Sequence, residues 1–196
     1  MKIFVSALFL FLLYGTSLHA ERKAGTVTVA AGLSAPISPS TVKQEYSIGP
    51  NIGFGLGYEL ARILEIEPRL YFSSFPHEDN ESLKMFEIGT DLKLFTREQR
   101  PNRLASYFIF GLSMSYMSYS NGERLWGDSF DKESKTGTET NLGLNFGVGI
   151  DHPIRPGYGF FVDIRYTVDF GEYDVLTYIP FRIGLKFSSA KLKTRP

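Results

Sequence analysis

The chain has 196 residues, with 21 Lys+Arg set against 21 Asp+Glu, no cysteine, 19 glycines and 15% aromatic residues. A balanced charge offers no basic face for nucleic acid. The lack of cysteine excludes both a disulfide scaffold and a lipid-anchored lipoprotein, which needs a cysteine after its leader.

The first element is a leader. Met1-Lys2 precedes an apolar run from Ile3 to Leu13, and a short polar stretch then ends at Ala20. A basic start, about 11 apolar residues and a small residue describe a secretory signal peptide, expected to be cleaved after Ala20. The run is too short to span a bilayer as a helix, which takes about 20 residues. Loss of Lys2 with the leader takes Lys+Arg from 21 to 20 against 21 Asp+Glu, a net charge of about −1 on a mature chain of about 176 residues, enough for one domain. No later stretch approaches 18 apolar residues, so any membrane crossing must be made by strands closed into a barrel, where every backbone N–H and C=O can be paired.

Eight segments then alternate with period two, the mark of a strand. In chain order they are Thr26 to Leu33, Asn51 to Leu60, Ile63 to Phe72, Met85 to Phe95, Leu104 to Tyr119, Glu139 to Asp151, Phe160 to Phe170 and Tyr178 to Phe187. One face of each is apolar: Ile52, Phe54, Leu56 and Tyr58 in the second, for example, or Ile179, Phe181, Ile183, Leu185 and Phe187 in the eighth. The other face carries Gly, Ser, Asn and charged residues, such as Glu65, Glu67 and Arg69 in the third. Long links are expected at Ser34–Ile48, Ser73–Ser82 and Ser120–Thr138, and shorter ones at Leu60–Arg62, Thr96–Arg103 and His152–Gly159; Gly171–Leu176 is short and breaks the alternation. Pro68 and Pro180 fall inside strands, and bulges are expected there because proline cannot donate to a ladder.

Volume decides which face points inward. The apolar faces hold roughly 37 side chains, whereas a packed eight-strand barrel interior takes on the order of 12 in three layers. A soluble ligand-binding barrel therefore cannot house them, and the apolar faces are expected to meet lipid. The fold class expected is all-β: an eight-stranded antiparallel up-and-down transmembrane β-barrel preceded by a cleaved signal peptide. Its domains are 1–20 (leader), 21–187 (barrel) and 188–196 (C-terminal tail).

This pattern, over nearly all of the mature chain, resembles the small eight-stranded outer-membrane β-barrels: the OmpA transmembrane domain, OmpX and the opacity-type surface proteins. Arg182-Ile183-Gly184-Leu185-Lys186-Phe187 resembles part of their terminal-strand assembly signal, with Arg182, Gly184 and Phe187 at the matching positions. The family usually ends at that aromatic, and this chain continues from Ser188 to Pro196. The resemblance implies a bacterial outer-membrane location, periplasmic chain ends, contact with outer-membrane lipids including lipopolysaccharide, and recognition by the barrel assembly machinery.

Charged residues on the polar face form the main candidate site. Glu65, Glu67, Glu87, Asp91, Asp163 and Asp169 should face the lumen with Arg69, Lys93, Arg165, Arg182 and Lys186, paired across neighbouring strands. Such ions brace and plug a narrow lumen; a selective pore lining is the rival, since eight strands leave room for side chains rather than a channel. A third reading is an envelope-lipid enzyme built on His77, with Glu78, Asp79, Glu81 and Ser73, Ser74 or Ser82 beside it, but the spacing matches no such enzyme. A solvated loop is the plainer reading of that segment, and His152 is placed in a turn. The acidic loop also lacks the spacing of a calcium loop, so no metal is expected. Gly53-Phe54-Gly55-Leu56-Gly57 is strand-periodic and opens no helix, so no nucleotide or other cofactor is expected. Arg124, Trp126 and Phe130 in the 120–138 link are candidate contacts for an extracellular partner, a tryptophan at the membrane boundary being the equally ordinary alternative. The reading is a non-enzymatic barrel with a structural or surface-interaction role; a narrow porin-like channel for small solutes comes second.

Overall fold

The computed structural model describes residues 25–77, 82–99, 103–119, 137–155, 157–171 and 174–188. The leader and the tail beyond Ser188 lie outside them. Eight strands appear in chain order: β1 Gly25–Ser38, β2 Gly49–Ala61, β3 Leu64–Pro76, β4 Ser82–Phe95, β5 Ala105–Tyr119, β6 Gly137–Arg155, β7 Tyr158–Phe170 and β8 Val175–Ser188. Each pairs antiparallel with the next, and β1 pairs with β8 to close the barrel. Closure removes the open sheet edge that would otherwise leave backbone donors and acceptors unpaired in hydrocarbon.

Side chains follow the alternation read from the sequence. Val29, Phe54, Leu70, Ile88, Phe110, Phe146, Ile164 and Ile183 point outward and are exposed. Thr28, Arg69, Asp91, Ser113, Asn145, Asp163 and Arg182 point inward and are buried. Along the ladder this outer surface is a continuous band of Phe, Leu, Ile and Val, which only lipid solvates favourably. No helix among the described residues is long and apolar enough to cross a membrane; the crossing is made by strands.

Both described ends of the chain, Gly25 and Ser188, lie at one rim, called here the terminal rim; the opposite one is the loop rim. Most strands run past their expected ends. The 34–48 link proves to contain the last residues of β1 and a six-residue helix, α1 (Ser40–Glu45). This helix carries no side-chain N-cap and is held by burial: Val42 and Tyr46 are inserted into the barrel interior. The 152–159 link shrinks to a tight turn, with His152 inside β6 opposite Phe160 rather than in the turn. Gly157 in that turn has φ +84, a left-handed conformation that glycine adopts without strain.

The two strand prolines do not produce bulges. Pro68 pairs with Thr90 in unbroken register, and Pro180 pairs with Ser34 likewise. Each is skipped on its other flank, toward β2 and β7 respectively, with the register unchanged on either side. The missing N–H is thus absorbed as a local gap in the pairing. The register shifts lie near strand ends instead, at Pro36/Ser38, Glu59/Ala61 and Pro153/Arg155.

Inward glycines make space for large neighbours. A Cβ at Gly53 would collide with the Tyr71 ring, one at Gly149 with Tyr107, and one at Gly184 with Phe161. Ring over glycine is a known device for pinning strand register. Replacing Gly53 with valine should therefore destabilise the folded barrel by about 1–3 kcal/mol through overpacking. Urea titration followed by the mobility of unheated samples on SDS gels measures this, and an unchanged midpoint would contradict the ring placement.

Candidate functional site: the barrel lumen

The inward faces of β3, β4, β7 and β8 place their charged residues within reach of one another. At the centre, Arg69 donates from Nε to Asp91 Oδ1 at 2.8 Å and from Nη2 to Glu87 Oε1 at 2.6 Å. Arg165 pairs with Asp91 Oδ2 through Nη1, and its Nε lies 3.4 Å from Asp163 Oδ1. Arg182 donates from Nε to the same Asp163 oxygen at 2.8 Å, as the register of β7 on β8 places these two residues opposite each other. The result is a chain running Glu87–Arg69–Asp91–Arg165–Asp163–Arg182. The Tyr71 ring lies among its three guanidinium groups, with centroid distances of 5.0, 5.7 and 4.2 Å to Arg69, Arg165 and Arg182. A π-face among cations adds attraction in a desolvated setting.

A second group sits nearer the terminal rim. Lys93 Nζ is 2.7 Å from Glu67 Oε2 and 3.6 Å from Glu65 Oε1. Lys186 Nζ is 2.8 Å from Glu65 Oε2 and 3.0 Å from Asp151 Oδ2. Thr28 donates to Glu67 at 3.2 Å, so the carboxylate gains a hydrogen bond besides its ion pair. Toward the loop rim, Tyr178 donates to Glu87 Oε2 at 3.2 Å and Asn145 donates to Glu87 Oε1 at 3.3 Å.

Asp169 is separate. It is buried, and neither of its carboxylate oxygens has a hydrogen-bond partner. It faces the lumen as the alternation predicts; the register sets it opposite Gly143 and Leu176, and no ion pair to it is formed among the described residues. Two further buried acids, Asp151 and Glu139, belong to the lumen and were not singled out from the sequence, although both continue the inward phase of β6.

Both ends of the lumen are apolar, where a polar interior was expected. At the loop rim, Phe75, Leu83, Met85, Met117, Tyr119, Leu176 and Tyr178 cluster with Val42 and Tyr46 from α1. At the terminal rim, Phe95, Ala105, Tyr107 and Ile109 pack together. The signal was present: each of these strand residues is in phase with the polar face, but several lie just beyond the segments read as strands.

The remaining candidates are more scattered. His77 is not in a solvated loop: its ring is largely buried edge-on to Tyr46 at 5.6 Å, and Nε2 lies 2.9 Å from Glu45 Oε2. Ser73 points into the barrel toward Ser34 at 3.4 Å. Glu78, Asp79 and Glu81 lie outside the described residues, as do Arg124, Trp126 and Phe130. Among the described residues no group of three or more His, Cys, Asp and Glu is arranged to hold a metal ion. In the terminal strand, Arg182 is buried in the charge network, Gly184 lies beneath Phe161, and Phe187 faces outward beside Tyr158 at 5.6 Å.

A closed antiparallel ladder, apolar outside and charged within, defines an eight-stranded transmembrane β-barrel. The chain matches the family model of the outer membrane protein beta-barrel domain over residues 6–188, and it belongs to that family. It is a bacterial outer-membrane protein. No curated protein matches its sequence. Among solved structures it is similar to Neisserial surface protein A, with 16% identity, a TM-score of 0.61, and coverage of 84% of this chain and 97% of that one. It is also similar to Ail, the attachment invasion locus protein of Yersinia pestis, with 10% identity, a TM-score of 0.54, and coverage of 85% and 98%. At these identities the likeness is one of fold.

Proposed function

We propose that this protein is a non-conducting outer-membrane barrel that acts through its surface, as a structural element of the envelope or a contact for something outside it. The observation that carries the reading is the ion-paired centre of the lumen, capped at both rims by apolar clusters. Passage of a solute would require breaking buried ion pairs and withdrawing Val42 and Tyr46 from the loop rim. Breaking one buried pair costs about 3–5 kcal/mol, far above thermal energy. The lumen charges on this reading brace the barrel.

Two proteins that share the fold are named for the surface and for attachment, and one of them, Ail, has been crystallised with the heparin analogue sucrose octasulfate. Those names agree with a role exercised at the surface. The same reading makes the protein a non-enzyme: His77 is engaged with Glu45 and Tyr46, and Ser73 is turned into the barrel. The lipid-facing strands would contact lipopolysaccharide and other outer-membrane lipids. Arg182, Gly184 and Phe187 would be read by the assembly machinery before the barrel closes.

Purified protein in planar lipid bilayers should show no stable unitary current at moderate voltage. Reproducible currents of fixed size would replace this reading with that of a narrow porin-like channel.

A further inference from the structure

The lumen holds more buried acids than buried bases. Among the described residues eight carboxylates are buried there (Glu65, Glu67, Glu87, Asp91, Glu139, Asp151, Asp163 and Asp169) against five cations (Arg69, Lys93, Arg165, Arg182 and Lys186). The excess is uneven. In the central chain three carboxylates alternate with three guanidinium groups. Asp169, on the loop-rim side of that chain, is fully buried with both oxygens unpartnered. Glu87, at the end of that chain, is already engaged by Arg69, Tyr178 and Asn145.

Oxygen atoms gather around Asp169. It lies over Gly143: a Cβ built there would collide with Asp169 Oδ1 and Ser113 Oγ, so both oxygens face the inner side of that glycine. Ser115 Oγ, on the same inward column of β5, is fully buried and within reach of the Asp169 carboxylate. Leu176, Met117 and Tyr178 close the space toward the loop rim. A buried anion requires a counter-charge, and hydroxyl and carboxylate oxygens are the ligands that hard cations choose. Asp169 itself carries one negative charge, which a monovalent cation would match.

We propose that the lumen binds one alkali-metal cation, Na⁺ or K⁺, at Asp169, with Ser113 and Ser115 supplying further oxygens. The site stands on lumen geometry alone and is independent of whether the barrel conducts. It makes the ion a structural component of the fold.

The test uses the full mature chain, refolded at equal ionic strength in sodium, potassium or N-methylglucamine chloride, the last cation being too large to enter. The midpoint of heat-induced loss of the β-sheet circular-dichroism signal, in a non-ionic detergent with no other alkali salt, is the readout. The wild-type midpoint should be lower by about 3 °C or more in N-methylglucamine than in the better of the two alkali salts. Asp169→Asn, nearly isosteric and uncharged, should have the same midpoint in all three. Ser115→Ala keeps the charge and should shrink the difference between salts; it supplies a variant comparison should Asp169→Asn fail to fold. A wild-type midpoint identical in the three salts, or one that responds only to acidification, would overturn the proposal, the second result meaning that the carboxyl carries a proton instead. An undiminished salt difference in Asp169→Asn would overturn it equally.

Discussion

Replacing Arg165 with methionine is expected to destabilise the folded barrel by about 3–5 kcal/mol, the usual consequence of removing one partner from a buried ion pair. Arg165 joins Asp91 on β4 to Asp163 on β7, so it links opposite parts of the wall across the lumen. Its removal leaves two buried carboxylates sharing one fewer cation, in an interior where acids already outnumber bases. Urea unfolding in detergent or lipid, followed by gel mobility and intrinsic fluorescence, measures the loss. The size of the effect also bears on function. A loss below about 1 kcal/mol would mean that water reaches these carboxylates and solvates them, as at an exposed pair, which a plugged lumen does not allow. The double change Asp163→Leu with Arg165→Met should recover part of the loss, because a matched apolar replacement removes the stranded charge along with its partner.

Replacing Leu112 with arginine tests the outer face. Leu112 lies midway along β5, points outward and is 61% exposed in the isolated chain. If water bathed that surface, arginine would be tolerated within about 0.5 kcal/mol, as surface substitutions usually are. At the midplane of a bilayer the same change is expected to cost about 2–4 kcal/mol, falling toward zero near either interface. The measurement is reversible unfolding from lipid vesicles, with an equivalent change at Tyr158, near the terminal rim, as the comparison. Equal small effects at both positions would contradict a lipid-facing surface. A large effect at Leu112 with a small one at Tyr158 would also map the depth of the hydrocarbon.

The fold was legible because a barrel wall is written locally. Period-two alternation assigns each side chain to a face without reference to distant contacts. The surplus of Phe, Leu and Ile over any interior volume then settles which face is outside. Strand ends were harder to read. The inward phase continues into Phe75, Leu83, Met85, Met117 and Tyr119, but apolar residues there blur the contrast between faces on which the alternation rests. A six-residue helix with no side-chain cap carries almost no local signal, and α1 exists because Val42 and Tyr46 find apolar partners inside the barrel. The prolines misled in the opposite sense. Pro68 and Pro180 were expected to bulge the strands, yet the barrel keeps its register by leaving a short gap on one flank of each.

The class of molecule, the number of strands and the face each residue presents are legible along the chain alone, since they follow from composition and a period of two along single strands. Which charges meet is set by closure of the barrel. Partners such as Lys186 with Asp151, or Arg165 with Asp91, lie on strands that are not neighbours and touch only across the closed lumen. That closure sets shear and depth together, so it groups Arg69, Asp91, Arg165, Asp163 and Arg182 while leaving Asp169 beside a glycine and a leucine. No spacing within one strand records that difference, because contact across a barrel depends on the register of every strand between.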